Sequence, residues 1–393
     1  VTSVAQDCQL TSTECTATAR FRIGSNAGLG QGNPYIELFY GALGRHGIDF
    51  AGTLEPNMAW LRQHAEQVEA VHIHWPEHLL RRKPQWVRTA PGIRASWRLQ
   101  RLIARFAPPF HLVRFSRFLR VAKGTGKRII WTLHNLEPHE RRSAIQRAGF
   151  RALARHADLI ICHDQSARAE CRKRYKTGAE VVVMAHGNYD GVYPAPRPPS
   201  TVRRELGFEE RGPLVGCLGA IRHYKGFDLA IDAVASLRGE VQLLVAGCPI
   251  RCDSGALRGR ASQCDFVRVV PRRLTDQEFA DFAHAADAIL LPYRGVTGSG
   301  ALLAAATFGR GVVASDLPFF RDVLREHPDA GAFFPPGNVP ALADAIGRYL
   351  SIPAATRQRA ARALADQYSW DRVIQPVVEV IERWRGEAAG YSA

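Results

Sequence analysis

Two cations, Arg222 and Lys225, stand between two glycines, Gly219 and Gly226, in the stretch GAIRHYKGFDLAIDAVASL at residues 219–237. An apolar run, PLVGCLGA, leads into it and an amphipathic pattern follows, so the cations occupy a tight strand-to-helix turn. Glycine lets a backbone come close to a guest, and guanidinium and ammonium groups donate charge-assisted hydrogen bonds to oxyanions. A diphosphate is the guest that suits this chemistry. A second anion cradle lies in PYRGVTGSGALLAAATFGRG, where Thr297, Gly298, Ser299 and Gly300 immediately precede an apolar helix. Free N–H groups at a helix start, with hydroxyls beside them, favour an anion. A serine before a helix is most often only a cap. Two such cradles, each following a strand, strengthen one another.

A second set of residues has proton-transfer chemistry. His134, Glu137, His139 and Glu140 follow the apolar run RIIWTL, and His72, His74 and Glu77 line or follow AVHIHW. Alternation along the latter puts His72 and His74 on one side of a strand. A lone buried histidine is ordinarily a satisfied core residue. Two histidine-plus-glutamate clusters at strand ends instead nominate Glu77, His134, Glu137 and Glu140 as candidates for a general base. The glycines at 28, 30 and 32 form a loose loop before NPYIELFYGAL, without dinucleotide-fingerprint spacing. Gly30 and Asn33 from that loop, with His74, are the acceptor-side candidates. Cys248 and Cys252 have a C-x3-C spacing and Cys264 lies nearby, but a clear fourth ligand is missing. No metal is therefore assigned, there or to the histidines and glutamates.

These residues need elements to hold them. FRIGSN, AVHIHW, RIIWTLHN, ADLIICHD and EVVVMAHG are apolar runs bounded by polar turns, with helical stretches between most of them. They predict a buried parallel sheet. Four prolines between Pro194 and Pro199 mark a linker. A second series follows: PLVGCLGA, a helix at 226–238, VQLLVAG, FVRVVP, a helix at 275–286, AILLPY, a helix at 299–309 and GVVASD. Late helices are expected near 340–350, 355–366 and 371–385. With 393 residues and 46% apolar composition, the chain predicts two α/β domains, tandem, Rossmann-like and doubly wound. Ligands then sit at the carboxyl ends of strands facing the inter-domain cleft. The expected divisions are a disordered leader at 1–19, an acceptor-binding domain at 20–190, a linker at 191–212, a nucleotide-sugar domain at 213–366 and a C-terminal helix at 367–393 returning to the first domain.

Charge narrows the partners. Lys and Arg number 52 against 37 Asp and Glu, a net charge of +15, which favours anionic partners. From His78 to Leu136 there is no acidic residue, while fourteen Lys and Arg are interleaved with Trp86, Trp97, Phe106, Phe110, Phe115 and Phe118. One sign alone over that length, with aromatics, suits an acidic membrane surface contacted by the basic segment at 78–128. A basic hairpin that merely solubilises is the plainer alternative. No nucleic-acid-binding module is visible. No run approaches the ~20 apolar residues of a membrane span, and the first twenty lack a signal-peptide centre. The eight cysteines mostly sit singly in apolar or helical runs, as expected of reduced thiols in the cytosol.

Over roughly residues 21–385 the chain resembles bacterial glycosyltransferases of GT-B architecture. GAIRHYKGFDLAIDA is similar to their strand–turn–helix, and LLPYRGVTGSGALLAAATFGRGVVASDLP to their nucleotide-sugar segment. VHIHWPE and WTLHNLEPHE resemble first-domain motifs of a branch that assembles exopolysaccharides, including membrane-associated mannosyltransferases. The resemblance implies transfer of a hexose from a GDP- or UDP-sugar to a lipid-linked saccharide, with no further cofactor, at the cytoplasmic face of the membrane. It assigns the donor diphosphate to Gly219, Arg222, Lys225 and Thr297–Gly300. One departure is informative. Many retaining relatives carry two glutamates eight positions apart, and Val296 and Ala304 occupy those places here. Neither side chain hydrogen-bonds a hydroxyl, so an inverting course with a general base is favoured. The missing pair equally suits a rival of another class, a catalytically inactive nucleotide-sugar or polyanion-binding protein.

Overall fold

The computed structural model describes residues 20–30, 34–81, 97–134, 144–210, 212–296 and 299–390. The leader expected at 1–19 lies outside them, as do Asn33, Glu137, His139, Glu140, Thr297 and Gly298.

The first sheet contains β1 (Phe21–Ser25), β2 (Ile48–Thr53), β3 (Ala70–His74), β4 (Arg128–Leu133), β5 (Leu159–Cys162) and β6 (Glu180–Val183). Its order is β2-β1-β3-β4-β5-β6, parallel throughout. The second contains β7 (Leu214–Leu218), β8 (Gln242–Ala246), β9 (Val267–Val270), β10 (Ala288–Leu291), β11 (Val312–Ser315) and β12 (Gly331–Phe334). Its order is β12-β11-β10-β7-β8-β9, again parallel. The expected pair of tandem, doubly wound α/β units is therefore present.

Strand order reverses between β1 and β3 in the first sheet and between β7 and β10 in the second, and crevices open at such switch points. The two cation- and glycine-bearing segments singled out above follow β7 and β10, so one switch point receives both. At the other, the Asn26 side chain after β1 accepts from the His74 backbone N–H at 2.6 Å and donates to the His74 carbonyl at 2.8 Å.

Two strands escape the apolar-run criterion, β2 and β12. Both are edge strands, and β2 buries only Ile48 fully, its other residues being half-buried or exposed. The helix expected over 371–385 is two, Trp370–Val373 and Gln375–Gly390. Trp370, Ile374, Val377, Ile381 and Trp384 from this end pack among Phe21, Ile23, Phe39, Ile130 and Leu159 of the first sheet's core. The chain thus crosses back, and the Trp370 indole N–H donates to the Asn188 carbonyl at 2.8 Å.

The acid-free segment ends in one long helix, Trp97–Gly124. Phe115 and Phe118, expected among surface aromatics, lie in the core with Leu119 and Ala122. Phe110 and Val113 project instead, 63% and 67% exposed, with Arg114, Arg117 and Arg120 solvent-facing beside them. Helical spacing of three and four puts the two sets on opposite faces. Two of the segment's cations already have acidic partners: Lys123 meets Asp158 at 2.6 Å, and Arg128 pairs with Glu387.

Candidate functional site

The turn after β7 behaves differently from an exposed loop. Gly219 has φ +97° and Gly226 φ +64°, both in the region open to glycine. A β-carbon on Gly226 would collide with the Pro292 carbonyl, so the turn is pressed against the segment after β10. Lys225 folds inward and is only 9% exposed. Its Nζ lies 5.7 Å from the Tyr293 ring centroid and 5.9 Å from that of Phe227. Among the described residues no carboxylate lies within ion-pair distance of Lys225 or Arg222. Burial, and then the neighbouring Arg222, pull the Lys225 ammonium down to about 8. A buried cation with rings rather than a carboxylate around it retains its capacity to pair with an anionic guest. Arg222 is half-buried and lines a cavity of about 420 Å³ with His223, Arg251, Cys252 and Asp253, which Lys225 does not line.

The second cradle begins the helix Gly300–Thr307. The Ser299 side chain makes no cap bond to that helix and instead lies 3.5 Å from the Tyr293 hydroxyl. Ser299 is therefore not spent as a cap. Tyr293 stands between Lys225 and Ser299 and joins the two cradles. Ala304 is buried in the following helix and Val296 packs against the second domain's core, so neither position offers a hydrogen-bonding side chain.

The first domain meets this helix start directly. A β-carbon on Gly300 would collide with the Tyr189 hydroxyl and sit 3.4 Å from Nε2 of His186. The Tyr189 backbone N–H also donates to the Thr307 hydroxyl at 3.0 Å. His186 and Tyr189 follow β6, and their side chains are 3.4 Å apart.

Behind them, histidines rise from four neighbouring strands. His72 and His74 are fully buried on β3, His134 follows β4, His163 follows β5 and His186 lies beyond β6. His72 is a core residue, with Nδ1 2.8 Å from the Tyr40 hydroxyl and Nε2 2.8 Å from that of Thr132. His74 Nδ1 is 2.9 Å from His134 Nε2, and His134 Nδ1 is 3.3 Å from His163 Nε2. His163 Nδ1 then lies 3.0 Å from the Met184 carbonyl. The Tyr35 ring stands among His74, His134, His163 and His186, and Trp75 stacks on His134 at 4.2 Å. Burial holds His72, His74 and His134 well below the ordinary imidazole value, and takes His186 down to about 4. They are neutral at pH 7.

Sequence patterning missed His163, His186, Tyr189 and Trp370. The signal was present: ADLIICHD and EVVVMAHG each place a histidine just past an apolar run, as AVHIHW and RIIWTLHN do.

The structure brings Gly219, Lys225, Ser299 and Gly300 together, and puts His74 and His134 on the facing side. Glu77 is 8% exposed on the helix Pro76–Arg81, which directly follows His74 and Trp75. Gly30 is apart from the cluster, its N–H given to the Glu37 carboxylate at 2.9 Å. The loop thiol Cys252 donates to the Ile221 carbonyl at 3.1 Å. Among the described residues no three His, Cys, Asp or Glu side chains are arranged to hold a metal ion.

Comparison with known proteins bears on both halves. Residues 212–351 match the family model described as glycosyl transferases group 1. The chain is 25% identical over 288 residues to the GDP-mannose:glycolipid 4-beta-D-mannosyltransferase of Xanthomonas campestris pv. campestris, covering 72% of this chain and 69% of that protein. It is 31% identical over 215 residues to the phosphatidyl-myo-inositol mannosyltransferase of Mycobacterium leprae, covering 52% and 54%. Among solved structures, HepE from Anabaena in complex with UDP superposes with a TM-score of 0.68 at 16% identity, over 93% of this chain and all of that one. A sucrose-phosphate synthase from Thermosynechococcus elongatus gives 0.66 at 17% identity, over 94% and 100%.

Proposed function

We propose that this nucleotide-sugar-dependent glycosyltransferase, with its group 1 domain at residues 212–351 on a GT-B fold, moves a hexose of the mannose or glucose type from a nucleoside diphosphate to a lipid-linked saccharide, as in exopolysaccharide or surface-glycan assembly. The observation that carries this is the unpaired, buried Lys225 beside Gly219, joined through Tyr293 to the uncapped helix start at Ser299–Gly300. Both lie at one switch point and face the histidine-bearing strand ends of the first domain. Arg222 and Lys225 hold the leaving diphosphate, and the Thr297–Gly300 segment adds backbone N–H groups. The relative from Xanthomonas supports GDP-mannose as donor and a glycolipid as acceptor. The linkage in its printed name is β, and a β product from an α-linked donor requires inversion.

Inversion requires a base opposite the leaving group. His134 is poorly suited, because both its ring nitrogens are occupied by other histidines and burial disfavours its protonation. The role passes to a carboxylate: Glu77, on the helix that follows β3, or Glu137 or Glu140, which come after β4 in the sequence. His74 is the acceptor-side residue of the cluster, and Gly30 and Asn33, from the loop after β1, stay candidates for that side. A screen of GDP- and UDP-hexoses by thermal unfolding tests the donor site. The right donor at 100 times its Kd adds about 2.7 kcal/mol. Stabilisation by none of them would remove the nucleotide-sugar assignment.

The acceptor lipid places the enzyme at a membrane, and the outward face of the helix Trp97–Gly124 is the docking surface. Phe110 and Val113 provide an apolar contact, and Arg114, Arg117 and Arg120 provide charge. No helix among the described residues is long and apolar enough to cross a membrane, so contact is peripheral in this proposal. The protein is expected to co-sediment with phosphatidylglycerol-containing vesicles, and less so as salt rises. Replacing the three arginines together by glutamine is expected to remove about 3 kcal/mol of binding. Equal sedimentation with pure phosphatidylcholine vesicles would refute the electrostatic part.

A further inference from the structure

The bond from His163 to Met184 has consequences along the whole imidazole chain. A carbonyl only accepts, so Nδ1 of His163 carries the hydrogen. In the neutral ring Nε2 of His163 is then bare, and it can only accept from Nδ1–H of His134. By the same step Nε2 of His134 is bare and accepts from Nδ1–H of His74. The last atom, Nε2 of His74, is left with a lone pair. That atom is buried and has no partner among the described residues. One backbone carbonyl thus determines three tautomers, and all three are the form less favoured by a histidine free in water.

We infer that His163 is a positioning residue: acting through His134, it holds His74 with Nε2 as a bare acceptor for a hydroxyl of the saccharide substrate. This rests on the transferase function proposed above. Burial supports it by disfavouring protonation of all three rings. Among the described residues, the titratable groups in ring or electrostatic contact with the chain are Tyr35 on the helix Pro34–Gly44, His72 on β3, His186 beyond β6 and Asp164 beside His163. Among these Asp164 is the one carboxylate. Trp75 stacked on His134, with φ +41°, closes one face of the chain.

The test has two arms on the full-length protein. Long-range ¹H–¹⁵N spectra of histidine-labelled protein at pH 7.5 report each tautomer, with single-histidine variants for assignment. Nδ1–H is expected for His74, His134 and His163, and an Nε2–H form at any of the three overturns the chain. His163→Phe removes both the donor and the acceptor, so His134 and His74 are expected to lose their locked form. His163→Gln keeps an amide donor and acceptor and is expected to retain it. Thermal unfolding checks that both variants fold.

The second arm measures label transferred from GDP-hexose or UDP-hexose into a total lipid extract. His163→Phe is expected to lower the rate at saturating donor about 10-fold with the donor KM unchanged, and His163→Gln to stay within about threefold of the parent. Equal losses in the two variants, or none in His163→Phe, overturn the positioning role. A protein that transfers nothing but shows the three Nδ1–H tautomers would sink the transferase function and leave the imidazole chain intact, so the two failures are distinguishable.

Discussion

Lys225→Met is expected to weaken donor binding and stabilise the free protein at the same time. The ammonium is buried without a carboxylate, and its value falls from 10.5 to about 8. The sign follows from proton counting. Below pH 8 the lysine is charged in both states, and the fold carries the full cost of burying it, about 3 kcal/mol for a shift of this size. Between about 8 and 10.5 the unfolded chain holds the extra proton, so the cost shrinks and stability rises with pH. Methionine keeps the stem and removes the charge. The variant should therefore resist denaturant better at pH 7, and the difference from the parent should fade towards pH 10.

Donor binding moves the other way. Loss of one charge-assisted bond costs about 1.5–3 kcal/mol, or roughly a 10- to 100-fold loss of affinity or transfer. Arg222→Ala should lose a similar factor in donor binding without the gain in stability, because Arg222 is only half-buried. In the parent, affinity for a nucleoside diphosphate should fall as pH rises past 8. Isothermal titration and chemical unfolding of the same preparation check both halves. A Lys225→Met protein that is less stable, or that binds donor as the parent does, contradicts the assignment.

The second large effect concerns the base. Glu140→Gln or Glu137→Gln is expected to lower turnover about 100-fold or more while donor binding stays intact, as when a proton acceptor is lost from the transition state alone. The argument runs through the histidines: both nitrogens of His134 are occupied, and burial disfavours protonation of His74, whose Nε2 can accept a hydrogen bond but is a poor destination for the proton itself. Glu77→Gln is the comparison variant, since Glu77 lies on the helix that begins directly after Trp75. The NMR coupling of the product's anomeric carbon from an α-linked donor gives the stereochemistry, with β expected. An α product would remove the reason for seeking a base here.

Most of the inner strands were legible because each is buried on both faces and reads as a continuous apolar run. The edge strands β2 and β12 were not, whereas β6 and β9, equally at edges, kept valine runs that marked them: IDFAGT mixes polar and small residues, and GAFF is only four residues long. Local patterning placed the two anion cradles after β7 and β10, but strand order alone brings them to one switch point. Burial was harder to foresee than position. The turn at 219–226 looks exposed in sequence, yet Pro292 presses on Gly226 and turns Lys225 inward. Phe115 and Phe118 similarly share a helix with exposed arginines, and only the helix's contacts decide which face is core. The imidazole chain was half visible. His74 and His134 stood out beside glutamates, whereas His163 and His186 gain meaning from parallel pairing that stacks four strand ends side by side.

The measurement that bears most directly on the central claim is transfer itself. Purified protein would be incubated with radiolabelled GDP-mannose, and in parallel with labelled UDP-glucose, together with a total lipid extract from glycan-producing bacteria. Label should enter the solvent-extractable glycolipid from one of the two donors, and Lys225→Met should abolish most of it. If neither donor labels any lipid while one of them still stabilises the protein, the chain binds nucleotide sugars without transferring them, and the account of a glycolipid transferase is wrong.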